Sequence, residues 1–142
     1  MVEWGQECCD TKEVAVTRVM VIDDDPTFRE LATLTLSVSG FEVDCAEDGL
    51  RALDHMELVC PLDTGCPDVV LVDLKMPHLD GREFVEKVAQ TFAGGPAIVV
   101  LASEHSAEVA QALRQGGART IMRKPVEPDE LIREVRRAAQ GG

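Results

Sequence analysis

The chain has 142 residues, 45% of them hydrophobic and 28% charged, enough for one globular domain with an ordinary core and too few for two. Its 26 acidic and 14 basic side chains leave a formal net charge of −12 at pH 7, which argues against nucleic acid as the main partner. No run approaches the roughly 18 apolar residues of a membrane span, and MVEWGQECCDTKEVAVT at the N-terminus lacks the basic-then-apolar order of a signal peptide, so a cytoplasmic protein without a membrane partner is expected.

In chain order, residues 1–16 fall outside any periodic pattern and read as a flexible leader. Apolar runs of strand length follow: RVMVI (18–22), FEVDCA (41–46), DVVLV (68–72), AIVVLA (97–102) and TIM (120–122). Between and after them lie amphipathic helical patterns: PTFRELATLTLSVSG with Pro26 in a first turn and Gly40 as a stop, then DGLRALDHME, GREFVEKVAQTF, SAEVAQALRQGG and PDELIREVRRAAQ. Strand and helix alternating five times predicts an α/β fold, a mostly parallel five-stranded sheet covered by helices on both faces. Continuous Val/Ile/Leu runs such as 69–72 and 98–101 fit strands buried on both sides. The segment LVCPLDTGCP (58–67) reads as a longer loop. Only Gly141 and Gly142 follow the last helix, so the expectation is one domain over residues 17–140 with no effector domain behind it.

Five cysteines (Cys8, Cys9, Cys45, Cys60, Cys66) form an odd set without zinc-type spacing. Free thiols in a reducing compartment are expected, although Cys60 and Cys66 could bridge their loop. His55, His78 and His105 share no metal-ligand spacing and read as surface or helix-edge residues. Charge is uneven along the chain: 7 basic and 21 acidic side chains up to residue 107, against 7 and 5 from residue 108 on. The C-terminal part therefore reads either as an ordinary mixed surface or as a docking face for an acidic partner or a second copy.

Ligands of open α/β sheets bind beyond the carboxyl ends of the strands, so the strand-end residues form one set. The first strand ends in Asp23-Asp24-Asp25, the third in Asp73, the fourth near Ala102-Ser103, and the fifth is followed by Lys124-Pro125. Acidic side chains crowded this way repel one another unless a cation sits among them, and hard oxygen donors on an open rim suit Mg²⁺. A carboxylate, a divalent ion and an ammonium together suit phosphoryl transfer, with Asp73 as nucleophile.

VIDDDP, AEDGLRAL, DLKMPHLDG and RKP resemble the response-regulator receiver domain of two-component signalling, over residues 18–139. The resemblance implies a flavodoxin-like sheet of order 2-1-3-4-5, a fold the chemotaxis receiver is known to exemplify. It implies Asp73 as phosphoacceptor, Asp24 and Asp73 as Mg²⁺ ligands with Asp23 acting mainly through water, and the Lys75 backbone carbonyl as a further metal ligand. Lys124 becomes the phosphoryl-binding lysine, and Asp25 a variable acidic position. The implied partners are a histidine kinase or histidine phosphotransfer protein upstream and a protein target or homodimer downstream, reached through residues 106–139. The protein would promote its own phosphorylation and dephosphorylation without acting as an enzyme on a separate substrate.

Two departures from the family pattern stand out. A switch Ser or Thr is expected about 22 residues before the lysine, where this chain has Ala102 with Ser103 one later; unless a bulge compensates, Ser103 points elsewhere. The aromatic residue three before the lysine is Ile121, and the chain has no tyrosine. A receiver-fold interaction module that works without phosphate is therefore the alternative reading. Lys75 stands where an Asp-x-Asp phosphatase would need a second aspartate, and only four Phe and one Trp are available to a flavin carrier.

Overall fold

The computed structural model describes residues 16–62, 65–92 and 94–140, so the expected leader lies almost wholly outside the described part. Five strands alternate with five helices: β1 (Arg18–Ile22), α1 (Pro26–Val38), β2 (Glu42–Ala46), α2 (Gly49–Val59), β3 (Val69–Asp73), α3 (Gly81–Thr91), β4 (Ala97–Ala102), α4 (Ala107–Gly116), β5 (Ala118–Arg123) and α5 (Pro128–Ala139). The strands form one sheet in the order β2-β1-β3-β4-β5, every neighbouring pair parallel. All five expected strands and helices are present, shifted by a residue or two at their ends; TIM extends on both sides into β5.

Strand side chains alternate between two core layers, because successive residues of a strand face opposite sides of the sheet. Met20, Ile22, Val70, Val72, Ile98 and Val100 pack with Leu53, Met56, Phe84, Val88 and Leu113 of α2, α3 and α4. Val19, Val21, Val69, Leu71, Val99 and Leu101 pack with Ala32, Leu36, Leu131 and Val135 of α1 and α5. This two-sided burial explains the unbroken apolar runs 19–22, 69–72 and 97–102 in the central strands. It also means that a polar residue at the end of such a strand is held by rigid neighbours.

The helices start where their sequences direct. Asp25 caps α1 by accepting from the Thr27 amide, with Pro26 next to it, while Asp48 caps α2 and Ser106 caps α4. Asp80 and Glu83 form a reciprocal capping box at the start of α3. The Gly81 amide donates to the Leu74 carbonyl oxygen at 2.8 Å, and a Cβ on Gly81 would lie 2.7 Å from the Leu74 Cα and 2.8 Å from the Asp73 carbonyl oxygen. Asp80-Gly81 thus closes the loop tightly against the end of β3.

The expectation of free thiols needs correction at one pair, for Cys60 and Cys66 are joined in a disulfide. Their Cα atoms lie 4.5 Å apart, within bridging range. Cys45 is free and exposed on β2, 3.0 Å from the Thr33 hydroxyl, and Cys8 and Cys9 lie outside the described residues. No helix among the described residues is long and apolar enough to cross a membrane.

Candidate functional site

β1 and β3 are neighbours in the sheet, so Asp23, just past Ile22, and Asp73, the last residue of β3, come together at its carboxyl edge. Asp23, Asp24 and Asp73 each offer a carboxylate oxygen within 4.8 Å of the others, the only such cluster among the described residues. None of the three histidines belongs to it. Oxygen-only donors at this spacing fit a hard divalent ion such as Mg²⁺.

Within the cluster the three carboxylates are not equivalent. Asp23 is fully buried, and both of its oxygens are engaged: Oδ1 accepts from the Asp25 amide at 2.9 Å and Oδ2 from Lys124 Nζ at 2.7 Å. Asp24 is exposed, and the Asp73 side chain is about one-seventh exposed, at 14%. Asp25 spends its side chain on capping α1. The two carboxylates with uncommitted oxygens are thus the ones facing solvent.

Lys124 reaches the cluster from the end of β5, where its amide donates to the Ala102 carbonyl at 2.9 Å and its peptide to Pro125 is cis. Its Nζ lies 2.7 Å from Asp23 and 3.5 Å from Asp73. Burial alone would lower its pKa, but the hydrogen bond and charge of Asp23, followed by those of Asp73, outweigh that and raise it. The Asp73 carboxyl is held above the ordinary aspartate range, first by burial and next by the negative charge of Asp23, with Lys124 opposing. A basic, partly shielded carboxylate beside a fixed ammonium is suited to attack an electrophile that brings its own negative oxygens.

A cavity of about 90 Å³ opens over Asp73, lined by Lys75, Ala102, Ser103, Glu104 and Lys124 among others. Ala102 is buried and pairs with Arg123 across the sheet, whereas Ser103 is exposed just beyond the strand. The one irregularity between β4 and β5 falls far upstream, where Ile98 and Val99 face Ala118 and Thr120, and does not move Ser103 into the strand. Ile121 is half-buried against the core layer beneath α2, α3 and α4.

Two contributors to the site escape sequence reasoning. Arg29 Nη1 donates to the Asp23 carbonyl at 2.6 Å, and the Phe28 ring lies under Lys124, its centroid 4.5 Å from Nζ. Both sit in the first turn of α1 directly after the acidic run, a position that was the only available signal. Arg114, Arg119, Arg123, Arg133, Arg136 and Arg137 are exposed on α4, β5 and α5.

A family model described as the response regulator receiver domain matches residues 19–136. Among curated proteins, the response regulator MprA of Mycobacterium sp. (strain KMS) is 34% identical over 119 residues, 84% of this chain and 49% of MprA. The regulatory protein AtoC of Escherichia coli (strain K12) is 32% identical over 89% of this chain but only 26% of AtoC. The chain therefore spans about half the length of MprA and about a quarter of AtoC. Among solved structures, the chemotaxis protein CheY4 of Vibrio cholerae superposes with a TM-score of 0.78 at 31% identity, covering 87% of this chain and 99% of CheY4. With the matched span, the 2-1-3-4-5 sheet and the acidic edge in agreement, the chain belongs to the response regulator receiver domain family.

Proposed function

We propose that the protein is a phosphoacceptor receiver that takes a phosphoryl group onto Asp73 from a histidine kinase or histidine phosphotransfer protein. The observation that carries this reading is the clustering of Asp73 with Asp23, Asp24 and the Lys124 ammonium, beside a cavity that Asp73 and Lys124 both line. A carboxylate oxygen of Asp73 attacks the phosphorus of a phosphohistidine in line; the new P–O bond forms as the P–N bond breaks, and the imidazole leaves with the bond's electron pair. Lys124 stays on Asp23 while it turns a second N–H from Asp73 to a phosphoryl oxygen. Mg²⁺ held by Asp24, Asp73 and the Lys75 carbonyl, with Asp23 acting mainly through water, would neutralise charge on the transferring oxygens. Asp23 suits that indirect role because both its oxygens are already engaged. Hydrolysis of the acyl phosphate at the same site resets the protein, so it promotes its own cycle without processing a separate substrate.

Output in this reading passes through α4, β5 and α5 to a protein target or a second copy, and six exposed arginines there favour an acidic partner. Neither nucleic acid nor membrane is needed as a direct partner of this domain. The reading assigns the protein to the cytoplasm. A second reading, an interaction module independent of phosphate, is favoured by one feature: Ala102 brings a methyl where a switch hydroxyl would answer the phosphoryl group. Intact-mass measurement after incubation with acetyl phosphate and Mg²⁺ separates the two. The wild type should gain one phosphoryl group and Asp73→Asn none; an alkali-labile phosphoryl group on the variant would remove Asp73 from its role, and no gain on the wild type favours the second reading.

A further inference from the structure

We infer that Phe28 is a positioning residue for Lys124, holding the ammonium over its ring face so that the lysine can serve Asp73; the inference rests on the phosphoacceptor reading. Phe28 is the third residue of α1, and the helix is fixed there by the Asp25 cap and by Pro26, immediately after the buried Asp23. The ring is half-buried and packs against the core layer shared by α1 and α5. Three groups surround the ammonium: Asp23 at 2.7 Å, Asp73 at 3.5 Å and the Phe28 centroid at 4.5 Å.

The ring adds something the carboxylates do not. A π face attracts the cation through its quadrupole, and it needs no particular N–H direction. Lys124 can then pivot a proton from Asp73 to an incoming phosphoryl oxygen while the ring and Asp23 keep Nζ in place. The lysine stem has four rotatable bonds, and with a purely aliphatic neighbour only the two carboxylates would restrain it. Phe28, Leu31, Pro125 and Leu131 also line, together with Lys124, a groove of about 390 Å³.

The test uses the full chain with Phe28→Leu and Phe28→Tyr, and two readouts: the initial rate of phosphoryl uptake from acetyl phosphate with Mg²⁺, and the NMR shifts of the Lys124 ε-protons. Phe28→Leu should slow uptake about fivefold, in line with a partly desolvated cation–π contact, and Phe28→Tyr should restore it. The ε-protons should be shifted upfield by the ring in the wild type and the Tyr variant, and not in the Leu variant. If Phe28→Leu does not fold, pentafluorophenylalanine at position 28 keeps the shape and reverses the quadrupole, and the same slowing is expected. Wild-type uptake rates in the Leu or pentafluoro variant overturn the inference, as do ε-proton shifts that ignore the Leu substitution. Absence of uptake by the wild type strikes the phosphoacceptor reading alone, and the ε-proton shifts then decide whether the ring holds the lysine.

Discussion

Lys124 is bound to Asp23 at 2.7 Å and stands 3.5 Å from Asp73, so the lysine belongs first to the buried carboxylate and only second to Asp73. Asp23 has no exposure of its own, and its two carboxylate oxygens are held by this ammonium and by the Asp25 amide. Removing the lysine strands a buried charge beside two further carboxylates.

Lys124→Met should therefore destabilise the metal-free protein by about 1–3 kcal/mol, below the full penalty for breaking a buried pair because the lysine keeps some contact with solvent. Adding Asp23→Asn to Lys124→Met should recover most of that loss. Urea denaturation of the two variants and the wild type measures it; a Lys124→Met protein as stable as the wild type would mean that Asp23 does not need its partner.

The raised Asp73 pKa makes a statement about pH. Because the folded protein holds the Asp73 proton more tightly than the unfolded chain does, ionising Asp73 costs stability. That cost is absent below the unfolded aspartate pKa, grows as pH rises through the interval up to the folded value, and is complete above it. Without divalent ions, Asp73→Asn should be more stable than the wild type at neutral pH, with the gain vanishing towards strongly acid pH. Denaturation across that range gives the sign directly, and a gain confined to acid pH would contradict the burial and Asp23 repulsion assigned here.

Gly81 is the point where the loop after β3 meets the start of α3. An added methyl would meet backbone on two sides, at 2.7 and 2.8 Å, where no side chain can turn away. Gly81→Ala should cost about 2–4 kcal/mol and also slow phosphoryl uptake, since the displaced atoms belong to Asp73 and Leu74. Gly116→Ala, whose nearest neighbour is the flexible Glu86 side chain at 3.4 Å, is the control and should be close to neutral. Equal stability of the two variants would refute the clash.

What the sequence made legible follows from how local each cause is. β3 and Asp73 stand out because burial on both faces demands an unbroken apolar run, and a carboxylate after such a run has few structural reasons to be there. The convergence of Asp23, Asp73 and Lys124 follows from strand order, which the family resemblance carried. The Phe28–Lys124 contact was not legible, since it joins residues 96 positions apart through side-chain geometry that no periodicity encodes. The Cys60–Cys66 bridge was legible only as an option set against free thiols, and the 4.5 Å between their Cα atoms decides it. At the end of β4, counting back from Lys124 left Ala102 and Ser103 open, and only the pairing of Ala102 with Arg123 shows which of them lies in the strand.

Ala102 offers the final prediction, on output. It is buried and is one of the residues lining the cavity over Asp73, as is Lys124. A methyl cannot hydrogen-bond a phosphoryl oxygen, so in the proposed cycle the coupling to β4 and α4 rests on Lys124 and on the exposed Ser103 hydroxyl. Ile121, half-buried against the α2–α4 core layer, has no polar tip with which to answer a hydroxyl that moves. Ala102→Ser places a hydroxyl in the cavity, which has room for one more oxygen, and needs no change in the strand. The variant should couple phosphorylation to residues 106–139 more strongly, by about 1 kcal/mol, the lower end of ordinary allosteric coupling. Hydrogen exchange with and without a phosphoryl mimic reads this as larger protection changes in α4, β5 and α5 of Ala102→Ser than of the wild type. Identical changes in the two proteins would show that the missing hydroxyl does not limit output, and changes confined to the Asp73 loop in both would remove α4, β5 and α5 as the signalling face.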